Sequence, residues 1–249
     1  SVLNAGYLPT TMWDGKYRTL EEQVFDTFRP NGDMGHHVDA AVSKISSDAG
    51  YQTAFKRAFG FTEVTAKGLA EAIAQYERSL TSGDSPFDRY LFKEERTALT
   101  ADQVKGLQVF SSRGGCLNCH DVFHPQFNPL GGGTALFTDF RFHNLGVGYK
   151  FGRFRDVGRF AITRDPAEMG AFRTPSLRNV AERSPYMHDG SLKTLEEVVE
   201  FYDRGGTPNP YLSPSIHPLF LSAEDKRVLV EFLRALSDPE IARTVQTAN

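Results

Sequence analysis

The chain has 249 residues, 40% of them hydrophobic and 20 of them Phe, which supplies a sizeable core and exceeds the length one ordinary domain needs. Its 28 Lys+Arg and 31 Asp+Glu are interspersed and leave a net charge of −3, a pattern that excludes nucleic acid or a membrane surface as the main partner. Nothing approaches the roughly 18 to 20 apolar residues of a membrane helix, and Ser1-Val2-Leu3-Asn4 opens no signal-like stretch, so the chain reads as soluble with any export signal already removed.

In chain order, the first helix start is Thr19-Leu20-Glu21-Glu22, a T-x-x-E capping box after an Asp14-Gly15 turn. A short helical pattern fits Tyr51 to Phe59. Thr65 then caps AKGLAEAIAQYERSL, with Leu69, Ile73, Tyr76 and Leu80 at helical spacing. Thr100 to Phe110 reads as a capped amphipathic helix running into Ser-Ser-Arg-Gly-Gly. From Asp121 to Thr174 the chain is rich in Gly, Phe, Asn and Pro without periodicity, as expected of long loops folded over a large apolar group. Leu195 to Tyr202 is again helical, and Ser222 caps AEDKRVLVEFLRAL, with Val228, Leu229, Phe232, Leu233 and Leu236 on one face. The expected fold class is mainly α with long loops and little β.

Two cysteines, Cys116 and Cys119, are followed directly by His120. This C-x-x-C-H run is a c-type haem attachment motif, with thioethers to both sulfurs and His120 as proximal iron ligand. A zinc half-site lacks a second cysteine pair, and a redox dithiol lacks its βαβ context; both stand as weaker readings. Covalent haem attachment implies a periplasmic protein.

The chain also repeats itself. Trp13-Asp14-Gly15 with Thr19-Leu20-Glu21-Glu22-Gln23-Val24 matches His188-Asp189-Gly190 with Thr194-Leu195-Glu196-Glu197-Val198-Val199 at a constant offset of 175. A first copy built like the second carries its own haem motif upstream of residue 1. The expectation is therefore a C-terminal part of a protein with two haem modules, the missing N-terminal haem portion being a partner.

Several ordered stretches resemble the bacterial dihaem cytochrome c peroxidase and MauG family: Val2-Leu3-Asn4, Met12-Trp13-Asp14-Gly15, Asp33-Met34-Gly35, Tyr76-Glu77-Arg78, Phe87-Asp88-Arg89-Tyr90, the haem motif, Phe142-His143-Asn144, Asp156 with Gly158-Arg159, Phe172 to Asn179, and Pro185-Tyr186-Met187-His188-Asp189-Gly190. The resemblance implies cytochrome c-like haem domains: 1–92 as the remainder of a first haem domain, 93–238 as the C-terminal haem domain, and 239–249 as a tail. It implies haem c, one covalently bound here and a second in the N-terminal part, with Ca2+ between the domains on the backbone carbonyls of Arg183 and Pro185. Trp13 falls at the inter-haem electron relay, and Gln23 and Asp33 at the polar groups facing peroxide, where a carboxylate can move a proton between the two oxygens. Asp33 is one methylene shorter than the usual glutamate, and Thr27 stands where MauG-like proteins often have proline.

Counting 14 from His188 reaches Tyr202, the position of the second haem's sixth ligand. A tyrosine there marks the MauG-like subgroup and methionine the peroxidases, and Met187 is the rival ligand. Arg173 and Arg178 suit haem propionates. His36, His37, His124, His143 and His217 read as surface or hydrogen-bonded residues, and His188 as bordering the haem. The implied function is a MauG-like enzyme that takes hydrogen peroxide to a high-valent dihaem state and oxidises a residue of a partner protein by long-range electron transfer. The first alternative is a cytochrome c peroxidase drawing electrons from a small cytochrome or copper protein, and the second a non-enzymatic electron-transfer cytochrome c.

Overall fold

The computed structural model describes residues 1–29, 32–60, 63–122 and 135–241. His124 and the end of the tail lie outside the described residues. The chain is mainly helical and divides into two compact units, the first comprising Ser1–Met12 and Lys16–Thr81, the second Trp13–Gly15 and the residues from Ser82 onward. That seam lies upstream of the 92/93 boundary read from the sequence.

The first unit holds α1 (Leu20–Thr27), α2 (Val38–Ser46), α3 (Ala49–Phe59) and α4 (Ala66–Ser79). Helix α3 starts ahead of its expected position because Asp48 caps it, accepting from the N–H groups of Gly50 and Tyr51. Helix α4 has its expected Thr65 cap, but its buried face is Gly68, Leu69, Ala70 and Ala74, while Tyr76 is 66% exposed. Small residues on that face let α1 approach, with Ala5, Leu20 and Ala74 forming a shared cluster. Helix α2 carries no side-chain N-cap, and the sequence reading missed it.

The second unit holds α5 (Pro86–Phe92), α6 (Ala101–Ser111), α7 (Phe160–Thr163), α8 (Leu195–Asp203) and α9 (Ala223–Arg234). Two antiparallel pairs of two-residue strands join them: β1 (Phe142–His143) with β4 (Phe172–Arg173), and β2 (Tyr149–Lys150) with β3 (Arg153–Phe154). Phe87, Phe110, Phe137 and Phe232 meet edge to face or tilted, at centroid distances of 5.0 to 6.1 Å, and tie α5, α6, α9 and the loop at 137 into one core. All five apolar residues assigned to the inner face of the last helix segment are buried.

Helices α6 and α9 cross at Gly106, where a Cβ would stand 2.0 Å from the Val228 carbonyl oxygen and 2.6 Å from Phe232 Cβ. A glycine inside a helix costs about 1 kcal/mol against alanine, and here that cost permits the close crossing. Gly106→Ala is therefore expected to destabilise the protein by about 2 kcal/mol or more through overpacking, read as a lowered urea midpoint; a raised midpoint would refute the crossing argument.

The repeat seen in the sequence is a repeat of conformation. At the same offset, Asn4 and Asn179 share left-handed φ of 59° and 54°, Met12 and Met187 of 68° and 67°, and Gly15 and Gly190 of 69° and 66°. The 3-10 turns Ala5–Tyr7 and Val180–Glu182 correspond, as do the bridges Thr11 to Tyr17 and Tyr186 to Leu192. Thr19 and Thr194 each cap at 3.1 Å the N–H of the second Glu, whose carboxylate reaches back to the N–H of Arg18 or Lys193. Even the ion pair Glu21 with Arg78 has its counterpart in Glu196 with Arg234. Left-handed non-glycine residues are uncommon, so two matched pairs weigh more than matched helices.

Candidate functional site

The attachment motif follows α6 as the 3-10 turn Cys116–Asn118, closed by the His120 N–H donating to the Cys116 carbonyl at 2.8 Å. His120 Nδ1 lies 2.9 Å from the carbonyl oxygen of Phe137, itself buried. With the proton on Nδ1, this bond fixes the tautomer and leaves Nε2 free as a ligand atom. Burial lowers the His120 pKa, against the opposing pull of the Phe137 carbonyl, so the ring is neutral at neutral pH. Cys116, Cys119, His120, Met187, His188 and Tyr202 all line one cavity of the second unit, whose apolar walls include Leu229 and Leu233 of α9.

Burial pushes the Cys116 thiol up to about 12 and the Tyr202 phenol well above its ordinary value. The Tyr202 hydroxyl has no hydrogen-bond partner among the described residues, although it borders the cavity. A metal cation is what would draw a phenolate from such a site. Arg173 also lines the cavity, its Nε buried without a partner and its pKa lowered by burial. A half-buried guanidinium whose Nε is desolvated and lacks a carboxylate is costly, and an anionic propionate edge answers that lack. The residues present thus fit a haem c: two thiols, an oriented imidazole, an unpartnered phenol and an unpaired cation on an apolar cavity.

Arg178 requires a correction. Its Nη1 and Nη2 donate to Asp88 at 2.7 and 2.6 Å in a pair whose side chains are each 2% exposed, so it is unavailable to a propionate. Asp88 also accepts from the Ser85 N–H and hydroxyl. The Ser85-Pro86-Phe87-Asp88 capping pattern was the signal that could have revealed α5 and this pair.

Trp13 packs edge to face on His188, with centroids 6.5 Å apart, and His188 stacks on Phe172 at 3.6 Å. The Trp13 carbonyl accepts from the Arg173 N–H at 2.8 Å, and Arg159 donates to the carbonyls of Asp14 and Gly15. The two residues that the repeat equates, Trp13 and His188, therefore touch at the cavity wall. In the first unit, Gln23 and Thr27 share a face of α1 at i, i+4, and the turn carrying Asp33 is pinned to the Thr27 carbonyl by the Met34 N–H. Gln23 is half-buried and Asp33 exposed, with no hydrogen bond between them among the described residues.

Of the other histidines, His36, His37 and His217 are exposed, and His143 Nε2 pairs with Asp139 at 2.8 Å. With Cys119 as a free thiol, the Asp139 hydrogen bond, followed by one to Cys119, lifts the His143 pKa to about 10 from its ordinary 6.5; a thioether at Cys119 leaves Asp139 as the cause that raises it. With the folded pKa raised, the pair's stabilisation is complete below pH 6.5 and is lost as pH rises through about 10. Asp139→Asn is expected to return the imidazole toward its ordinary pKa, measurable by NMR titration; no movement would show that Asp139 is not the cause. Cys119, Asp139 and His143 offer donor atoms within 4.8 Å of one another, but Cys116 stands outside the trio, so the two thiols do not converge as a zinc half-site would.

Arg183 donates to the carbonyls of Asn179 and Ser176, and burial lowers its pKa to about 10. The carbonyls of Arg183 and Pro185 accept no backbone hydrogen bond among the described residues. Asn144 is a buried hub that the sequence marked only as part of a stretch. Its side chain joins Met169, Asn209 and Gly146, while its N–H donates to Ser213, tying together the loops that wall the cavity. The Phe137 carbonyl left no sequence signal at all.

The profile of the di-haem cytochrome c peroxidase family matches residues 1–96. The methylamine utilization protein MauG of Methylorubrum extorquens is 35% identical over 98% of this chain and 65% of its own length. Cytochrome-c peroxidase IdrP1 of a Pseudomonas species is 33% identical over 96% of this chain and 68% of its own. The crystal structure of a MauG-like protein associated with microbial copper homeostasis superposes with a TM-score of 0.82 at 30% identity, covering 96% of this chain and 75% of that one. The chain spans about two thirds of the length of these two curated relatives. No described helix is long and apolar enough to cross a membrane.

Proposed function

Since the chain belongs to the di-haem cytochrome c peroxidase and MauG family, we propose that it works as a periplasmic, peroxide-dependent oxidoreductase of the MauG-like kind, oxidising a residue of a partner protein by long-range electron transfer. The observation that carries this reading is Tyr202, whose unpartnered hydroxyl borders the cavity that also holds Cys116, Cys119 and His120. A haem c bound there supplies one-electron storage and exchange. Cys116 and Cys119 would anchor it through their sulfurs, His120 and Tyr202 would hold its iron, and Arg173 would neutralise a propionate. The Phe137 carbonyl holds the imidazole's orientation and increases its basicity. Trp13, held at the cavity wall by its carbonyl and by His188, conducts electrons. In the first unit, Gln23 would hydrogen-bond peroxide and the Asp33 carboxylate would move a proton between its two oxygens, with Thr27 leaving room where Tyr202 stands in the second copy. The free carbonyls of Arg183 and Pro185 support a calcium ion at that turn.

Met187 lines the same cavity and favours a second reading, a peroxidase that reduces hydrogen peroxide with electrons from a small cytochrome or copper protein. Tyr202→Phe separates the two. Loss of phenolate bands in the resonance Raman spectrum, with a changed ferric optical spectrum, is expected. An unchanged six-coordinate spectrum would overturn Tyr202 as ligand and transfer the role to Met187, in which case Met187→Leu would alter the spectrum instead.

A further inference from the structure

The hairpin formed by β2 and β3 breaks two local rules at once. Its strands pair Tyr149 with Phe154 and Lys150 with Arg153, leaving Phe151 and Gly152 as the turn, at φ of 52° and 76°. Positive φ at both central positions is the requirement of a type I′ turn, met at least cost by Asn or Asp followed by Gly. A Phe in that conformation is strained by its own Cβ, and Phe151 is 99% exposed, so it serves neither the turn nor the core. Lys150 and Arg153, directly opposite, are like charges that repel. Arg155 follows; all three cations are exposed, none has an ion-pair partner among the described residues, and 149–155 contains no acid.

The root of the hairpin is well secured. The rings of Tyr149 and Phe154 pack at 4.8 Å, and Phe154 lies so close to Gly170 that a Cβ there would come within 2.6 Å of its ring. Gly170 and Val147, which leads into the hairpin through Gly148, both line the cavity. A firm base on the cavity wall thus carries a tip whose features cost stability and whose benefit lies outside the chain.

We propose that this tip docks an acidic protein partner: Phe151 enters an apolar recess of the partner, and Lys150, Arg153 and Arg155 meet the carboxylates around it. The inference rests on the electron-exchange reading above, since it seats the partner beside the cavity that binds the redox group. The net charge of −3 on the whole chain repels an acidic protein elsewhere, so the basic tip also orients the approach. A membrane is a poorer fit, because one aromatic ring buries far less apolar surface than the acyl chain that a polybasic patch needs beside it for stable anchoring.

The test titrates the holoprotein with reduced plastocyanin, a small acidic copper protein, by calorimetry at low and high salt. Wild type is expected to bind with an affinity that falls as salt rises. Lys150→Glu with Arg153→Glu is expected to weaken binding about tenfold or more and to flatten the salt dependence. Phe151→Asn is expected to weaken it by about tenfold while raising the melting temperature, since Asn relieves the turn; a merely structural Phe would lower it. Absence of wild-type binding, or unchanged affinity in both variants, overturns the proposal. So does co-sedimentation of wild type, but not Phe151→Asn, with phosphatidylcholine–phosphatidylserine vesicles when plastocyanin binding is unaltered. Variant-sensitive binding without any reaction toward peroxide would retain the docking site and sink the enzymatic reading; peroxide turnover with a dye donor alongside variant-insensitive binding would do the reverse.

Discussion

Acid-acetone extraction is expected to leave the pigment on the precipitated wild-type chain and to carry it into the solvent from the Cys116→Ser, Cys119→Ser double variant. Both sulfurs border one cavity with His120; Cys116 and Cys119 are each half-buried, and Cys119 lies beside His143. Thioether bonds survive acid, whereas an imidazole ligand is protonated and released. Intact mass should show about 616 Da per haem attached through both thiols. Each single variant should retain the pigment through its remaining thioether. A colourless wild-type precipitate would end the haem c assignment, and with it the roles of Tyr202, Arg173 and Trp13.

Arg178→Ala is expected to cost about 3–5 kcal/mol, because it leaves the Asp88 carboxylate buried and uncompensated. Asp88 is bound further by the Ser85 cap, so the damage should spread to α5 and to Phe87, a corner of the aromatic core. Removing both charges as Asp88→Leu with Arg178→Met should recover much of the loss, since an apolar pair of similar volume no longer needs the bidentate bond. Urea unfolding with the haem spectrum monitored in the native state checks this. A loss below about 1 kcal/mol for Arg178→Ala, or no recovery in the double variant, would show that the pair is not the internal support inferred here.

The correction at Arg178 shows where a residue-by-residue resemblance fails. Arg173 and Arg178 share one stretch and one side-chain chemistry, yet Arg173 faces the cavity unpaired while Arg178 is bound to a carboxylate far away in sequence. The position of Tyr76 fails for a related reason. Periodicity marked a face of α4, but the alanines beside it allowed the closer approach of α1 and turned the aromatic ring to solvent.

What the sequence determined by itself was local. The helix starts at Thr19, Thr65, Thr100, Thr194 and Ser222 are written within four residues, the attachment motif within five, and the repeat in a constant offset, so each could be read without knowing what packs against it. Only the tertiary structure decided which carbonyl holds His120, which arginine stays free for the cavity, and that Trp13 leaves its sequence neighbours to join His188. These depend on loops such as 135–174, where a backbone carbonyl looks the same in every residue and position follows from packing rather than side-chain type.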